Sequence, residues 1–389
     1  MIEVTGISVF SEKPVFVRIE GTGIISVEEL SRKETSGINL PYISPGFLDL
    51  QVNGYNGIDY SLDNLNAEQI KALVIRLAQS GTSKHAPTFI TMPNDRLLKN
   101  LNLVAETMEK QALVKAGIAG FHLEGPFISC EDGPRGVHDK KCVRPPDFSL
   151  FEEWQKAAGG NIKLITIAPE LPGAMEFIKE AVKAGVRVSI GHTAASPEQI
   201  LEAIEAGASG STHLGNGSHA QLPRLKNYIW EQMAADSLWA GIISDGFHLP
   251  KSVVNVISRA KGPQRLFLVS DAALLGSYKP GIYKWGGVEV EVFPDGHLGM
   301  AGVSGALAGA GHLLDWGITR YLEFTGVSLR EAVALCTIQP ALFLGLDTTE
   351  YTDIAPGNSA NLTVFFYSPG EKQLRVQKTI SNGQTVFSV

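Results

Sequence analysis

Four side chains with the chemistry of a hydrolytic centre stand at the ends of apolar runs. Glu124 closes Gly120-Phe121-His122-Leu123 and is followed at once by Gly125-Pro126. His192 closes Val186-Arg187-Val188-Ser189-Ile190-Gly191, His213 closes Ala208-Ser209-Gly210-Ser211-Thr212, and Asp271 closes Leu266-Phe267-Leu268-Val269-Ser270. An apolar run that delivers a polar side chain and then stops reads as a buried strand whose last residue faces a cavity. One carboxylate and two neutral imidazoles are a common ligand set for a catalytic zinc that keeps a position open for water. Such a metal lowers the pKa of its water to about 7 and polarises a carbonyl. A further carboxylate, Asp271, then serves as general base and afterwards as general acid. Any one of these residues alone would read as a satisfied structural side chain. Their recurrence at successive run ends points to one site.

The scaffold that brings them together is written as eight apolar runs alternating with helical periods. The runs are Tyr42 to Leu50, Lys84 to Ile90, Ile118 to Leu123, Ile162 to Ile167, Val186 to Ile190, Gly207 to Thr212, Trp239 to Ser244 and Leu266 to Ser270. Continuous apolarity suits parallel strands covered on both faces. Between them, Ala67 to Gln79 sets Ile70, Leu73, Val74 and Leu77 on one stripe. Ser196-Pro197-Glu198-Gln199 is a capping box with Pro at the first helical position; Pro172 to Ala184 and Pro250 to Lys261 have similar patterns. These units predict an α/β chain folded as a (β/α)8 TIM barrel over residues 46–349. An open doubly wound sheet would want a Gly-rich dinucleotide turn after the first strand, and there is none. In such a barrel the catalytic groups sit at the carboxyl ends of strands, where Gln51, Asn53, Glu124, His192, His213, Asp245, His248 and Asp271 all fall.

At the two ends the pattern changes to short alternating runs, Val15-Phe16-Val17-Arg18-Ile19 near the start and Leu362-Thr363-Val364-Phe365-Phe366 near the finish. Asn382-Gly383 between alternating runs is a strong hairpin signal. Neither end has strands enough for its own core, so residues 1–45 and 350–389 are expected to pair as one small β-sandwich domain.

Composition narrows the partners. Of 389 residues, 44% are hydrophobic and 19% charged, with a net charge of -7, the balance of a soluble globular chain. No Lys/Arg-rich run speaks for nucleic acid. The start lacks a signal peptide's basic and apolar regions, and no segment is apolar enough to span a bilayer. Three cysteines without a CxxC pair complete the picture of a cytoplasmic protein with no membrane partner.

Pro45-Gly46-Phe47-Leu48-Asp49, His122-Leu123-Glu124-Gly125-Pro126, Gly191-His192-Thr193, Thr212-His213-Leu214-Gly215-Asn216 and Ser270-Asp271-Ala272 occur in order. In that order and spacing the chain resembles the N-acetylglucosamine-6-phosphate deacetylase family of the amidohydrolase superfamily, over nearly its whole length. The resemblance implies a barrel of the metal-dependent hydrolase type and removal of acetyl from N-acetylglucosamine 6-phosphate, giving glucosamine 6-phosphate and acetate. It implies that Glu124, His192 and His213 ligate one divalent metal per chain, Zn2+ first, with Fe2+ or another divalent ion as alternatives. Asp271 would be the proton shuttle. Val137 and His138, Asn216 and Gly217, and His248 would contact the amino-sugar substrate. Arg224 would bind its phosphate across a homodimer interface, and Ala301 and Gly302 would lie beside the sugar.

Two features depart from that family. Where superfamily members usually carry His-x-His after the first strand, this chain has Gln51-Val52-Asn53. Amides are weak zinc ligands, so a single metal is expected, with Gln51 lining the pocket or hydrogen-bonding the metal's water. The stretch from Gly215 to Asn227 is atypical and contains His219, which has no counterpart. Two other readings stand beside the first: the same chemistry on an unphosphorylated N-acetyl sugar or other small N-acyl compound, and a non-catalytic sugar-binding barrel. A dihydroorotase-like ring hydrolase would want His-x-His and a bridging lysine.

Overall fold

The computed structural model describes residues 1–389 except Arg32, Gly286 and Ser304. The apolar runs become the strands β1 (Phe47–Val52), β2 (Thr82–Ile90), β3 (Phe121–Glu124), β4 (Ile162–Ile167), β5 (Arg187–Ile190), β6 (Gly210–Ser211), β7 (Trp239–Ile242) and β8 (Leu266–Leu268). They lie side by side in sequence order, each parallel to the next. Val52 bridges Ala272 in parallel, so the first and last strands meet. The Asp271 N–H donates to Gln51 O at 2.9 Å, and the Asn53 N–H to Ala272 O at 3.0 Å. A sheet closed on itself leaves no edge to pair elsewhere. The bonds that close the barrel also fix the backbone on both sides of Asp271.

The helices form where spacing and caps predict. Ala67–Ala78 opens on a capping box between Asn66 and Gln69 and buries Ile70, Leu73, Val74 and Leu77. Pro197–Ala206 opens on the Ser196–Gln199 box and ends at Gly207, whose φ of 112° suits glycine; a cap of this kind contributes about 1 kcal/mol. Ala174–Lys183 and Lys251–Lys261 complete the foreseen set. Leu101, Trp154, Phe177 and Ile200 belong to one buried apolar layer between strands and helices.

The chain ends meet in one seven-stranded sheet. Its junction pairs Tyr42–Pro45 with Leu362–Phe366 antiparallel, and Ile2–Ser8 joins Tyr42–Pro45 in parallel. Val17, Ile19, Ile43, Leu362 and Ile380 form its apolar layer. Thr363 Oγ1 and Thr379 Oγ1 donate to Gly81 O and Ala78 O at 2.6 Å, tying the sheet to the barrel. A further antiparallel sheet, Gly281–Trp285, Val288–Val292 and Leu298–Met300, follows β8; the sequence reading did not anticipate it. Among the described residues no helix is long and apolar enough to cross a membrane.

Candidate active site

Glu124 is the last residue of β3, and His192, His213 and Asp271 lie just beyond the ends of β5, β6 and β8. Gly125 lets the chain turn there: its φ is 82°, and a Cβ would meet Thr91 Oγ1 at 2.2 Å. His192, His213 and Asp271 are themselves among the few non-glycine residues with positive φ, at 50°, 32° and 51°. Each such conformation costs roughly 1 to 3 kcal/mol and persists only where the surroundings over-determine it. Here the carbonyls of His192, His213 and Asp271 accept the N–H groups of Ser129, Asn216 and Ala310 at 2.9, 2.9 and 3.0 Å. The strained backbone turns these side chains off the strand direction and into the barrel mouth.

Three ligand atoms converge there. Glu124 Oε1 lies 2.8 Å from His192 Nε2 and 2.9 Å from His213 Nε2, and the two Nε2 atoms are 2.9 Å apart. All three side chains are buried. His192 Nδ1–H donates to Pro134 O at 2.7 Å, which leaves Nε2 as the nitrogen available to a metal. Two imidazole nitrogens and a carboxylate oxygen at mutual contact suit a shared divalent cation. Burial pushes the Glu124 carboxyl up, but hydrogen bonds and charge from both imidazoles outweigh it and hold the group well below the carboxylate range. Burial lowers His213, yet the Glu124 carboxylate outweighs that and raises it.

Asp271 shares the cavity and differs from Glu124 in charge balance. Burial, and after it the negative charge of Glu124, pushes Asp271 up to about 6. Its Oδ1 accepts Asn53 Nδ2–H at 2.7 Å. Two carboxylates with pKa values driven apart are the pattern expected of a ligand and a general base. Below the site a polar chain crosses the barrel: His122 Nε2 lies 2.8 Å from Thr166 Oγ1, which lies 2.7 Å from Thr212 Oγ1. Burial drives His122 down to about 4, so it is a neutral interior residue.

The cavity above holds about 570 Å3. Its walls include Asn53, His138, Asn216, His219, Phe247, His248, Trp285, Met300 and Leu307. Thr91 sets its N–H 3.3 Å and its hydroxyl 2.8 Å from His138 Nδ1; the N–H can only donate, so Nδ1 accepts and the ring proton sits on Nε2. Asp245 Oδ1 accepts the N–H groups of Phe247 and His248, and Asp245 Oδ2 takes His248 Nδ1–H at 2.8 Å. Phe247 stacks with His297 and with His312, with ring centres 4.7 and 5.7 Å away.

With this geometry, the sequence model of the amidohydrolase family matches residues 42–386. The chain belongs to the amidohydrolase family. Within it the chain stands with the N-acetylglucosamine-6-phosphate deacetylases. It is 31% identical to the Bos taurus protein of that name over 355 residues, covering 89% of this chain and 84% of the relative. It is 30% identical to the Bacillus subtilis one over 347 residues, 88% and 84% of the two chains. The crystal structure of N-acetyl-D-glucosamine-6-phosphate deacetylase from Mycobacterium smegmatis superposes with a TM-score of 0.86 at 25% identity, covering 100% of both chains. The barrel and the family expected from the motifs are thus both found.

In this amidohydrolase, Val137, His138, Asn216, Gly217 and His248 line the cavity. Gly217 sits so close that a Cβ there would lie 2.7 Å from His192 Nδ1. Gln51 lies below the cavity and donates Nε2–H to Glu124 Oε2 at 3.1 Å. Arg224 is exposed and lies outside the cavity of its own chain, and its carbonyl accepts Trp230 Nε1–H at 3.3 Å. Ala301 and Gly302 fall outside the lining, where Met300, Val303, Gly305, Ala306 and Leu307 stand instead. Ser304 of that Gly-rich run lies outside the described residues. Two contributions went unseen in the sequence. Asn53 holds Asp271, a link that the matching strand-end positions of the two residues hinted at. The Trp285 wall belongs to the unforeseen sheet, which left no strong pattern.

Proposed function

We propose that this amidohydrolase removes the acetyl group from N-acetylglucosamine 6-phosphate, giving glucosamine 6-phosphate and acetate. The observation that carries the reading is the convergence of Glu124 Oε1, His192 Nε2 and His213 Nε2 in a cavity that also holds Asp271. Glu124, His192 and His213 would hold one divalent cation, Zn2+ first among the choices. When bound, such a cation acidifies water and polarises the amide carbonyl. Everything else falls to the chain's own groups. Asp271 takes the proton of the attacking water and returns it to the departing nitrogen, general base and then general acid. Asn53 holds one Asp271 oxygen and leaves the other for that transfer. His138 presents Nε2–H to the cavity as a donor for the acetyl oxygen. Gln51 spends its amide on Glu124, which fits one metal and no second site. His248, anchored on Asp245, faces the sugar, and Arg224 meets the phosphate of a second copy in a homodimer.

The second reading keeps the chemistry and drops the phosphate. Among the described residues, no Lys or Arg lines the cavity, and a neutral N-acetyl sugar would need none. Acetate release from N-acetylglucosamine with and without the 6-phosphate separates the two. A kcat/KM ratio well above one supports the phosphosugar; a ratio near one removes it.

A further inference from the structure

The loop after β6 puts a fifth imidazole, His219, on the cavity wall, and its hydrogen bonds define which nitrogen carries the proton. The Tyr228 hydroxyl oxygen accepts the His219 main-chain N–H at 2.9 Å and lies 3.0 Å from His219 Nδ1. Across from it stands the Glu131 carboxylate, which when ionised can only accept a hydrogen bond. Nε2 therefore bears the ring proton, and it points to Glu131 Oε2 at 3.0 Å. Glu131 belongs to the loop after β3, whose Gly133, Gly136, Val137 and His138 line the same cavity. The two loops touch: a Cβ on Gly133 would lie 3.1 Å from His219 Cα.

The pair is built to exchange. The His219 side chain is 27% exposed and that of Glu131 60%, so the carboxylate can leave for water at little cost. The other imidazoles of the cavity have no displaceable anion as partner. His192 and His213 face Glu124, His138 Nδ1 accepts from Thr91, and His248 is anchored on Asp245. No Lys or Arg among the described residues lines the cavity. Beside the Arg224 proposed from a second copy, a substrate phosphate meets within this chain's cavity one imidazole donor whose present partner is a displaceable anion.

We propose that His219 Nε2–H reads the substrate's phosphate, with Glu131 holding that donor until the phosphate displaces it. The proposal rests on the phosphosugar reading above and names a residue that enforces it. A dianion competes with a carboxylate for the N–H; a neutral hydroxyl does not. The exchange therefore discriminates against the unphosphorylated sugar as well as favouring the phosphorylated one.

The test is steady-state acetate release by the wild-type enzyme, His219→Ala and Glu131→Gln on N-acetylglucosamine 6-phosphate and N-acetylglucosamine. For His219→Ala, loss of one charge-assisted hydrogen bond predicts about a tenfold rise in KM for the phosphorylated sugar. Its kcat stays within about twofold, because the contact is made equally in the ground and transition states. The preference ratio for the phosphorylated sugar then falls about tenfold. Glu131→Gln moves the other way and lowers KM for the phosphorylated sugar, since a competing anion is gone. If both variants raise KM alike, the pair is a structural latch and the proposal fails. A wild-type preference for the phosphate that survives His219→Ala removes His219 alone. A wild-type enzyme with no such preference removes the phosphosugar reading itself.

Discussion

Replacing Asn53 with Ala tests the role of Asp271 through a pH profile. In the folded chain Asp271 is 9% exposed and accepts Asn53 Nδ2–H at 2.7 Å. Burial and then the Glu124 charge push it up to about 6, while the Asn53 bond works in the opposite direction. A hydrogen bond to an ionised group contributes about 1.5 to 3 kcal/mol. At 1.36 kcal/mol per unit, losing it raises the Asp271 pKa by about 1 to 2 units. Only the ionised carboxylate can accept a proton, so activity is present above this pKa and lost below it. The acid limb of kcat/KM should therefore move upward by about 1 to 2 units in Asn53→Ala. Well above the limb, the variant should return to within a few-fold of wild type. A divalent cation in the site lowers both limbs alike, so the difference between the two enzymes is the quantity to read. The assay is acetate release from N-acetylglucosamine 6-phosphate between about pH 5 and 9. A limb that stays in place, or a uniform loss at every pH, would show that Asn53 does not tune a general base.

Asp271→Asn removes the proton acceptor and keeps the shape, so kcat should fall by about 10^2 to 10^4 with metal content and thermal midpoint unchanged. Acetate release at the original rate would sink the shuttle. Asp49, buried under the barrel mouth, offers a stability test: burial pushes its carboxyl up to about 7. The unfolded carboxyl titrates near the ordinary value of about 3.9. Between these values the folded chain keeps a proton that the unfolded chain has released, so stability falls as pH rises through that window. Asp49→Asn keeps the Oδ1 acceptor for the Gln51 and Ser270 N–H groups and abolishes that fall. Thermal melts from about pH 4.5 to 7.5 should decline for wild type and stay flatter for the variant. Parallel curves would refute the assignment.

The parts of this molecule written in long, one-faced patterns are legible in the amino-acid sequence alone. Continuous apolar runs announce the barrel strands, and Asn66, Ser196 and Gly207 sit where helix ends need them. Glu124, His192, His213 and Asp271 are legible for a different reason: each is a polar residue terminating an apolar run. Asn53 is harder because its partner is 218 positions away, across the seam where the barrel closes. The sheet from Gly281 to Met300 escapes a sequence reading because its strands are three to five residues long and interrupted by glycine. Alternation over so few residues is weak, and the sheet's buried Val290, Val292 and Leu298 pack with Ala273, Leu275 and Ala308 from outside it. Ala301 and Gly302 miss the wall by one step, since in a tight turn adjacent residues face opposite ways. The left-handed backbone at His192 and Asp271 has no local cue, since the bonds to their carbonyls come from Ser129 and Ala310, far away in the chain.

Catalysis turns on whether the carboxylate and imidazoles at the barrel mouth hold the ion that hydrolysis requires. The decisive measurement is metal quantified per chain together with acetate release on the same samples, for wild type, His213→Ala and chelated wild type. Wild type should carry about one divalent ion per chain, as the trio's donor set allows. His213→Ala and the chelated enzyme should lose ion and activity together, with re-addition of the ion restoring only the chelated enzyme. Full activity in enzyme stripped of all metal would contradict this mechanism, as would two tightly held ions per chain.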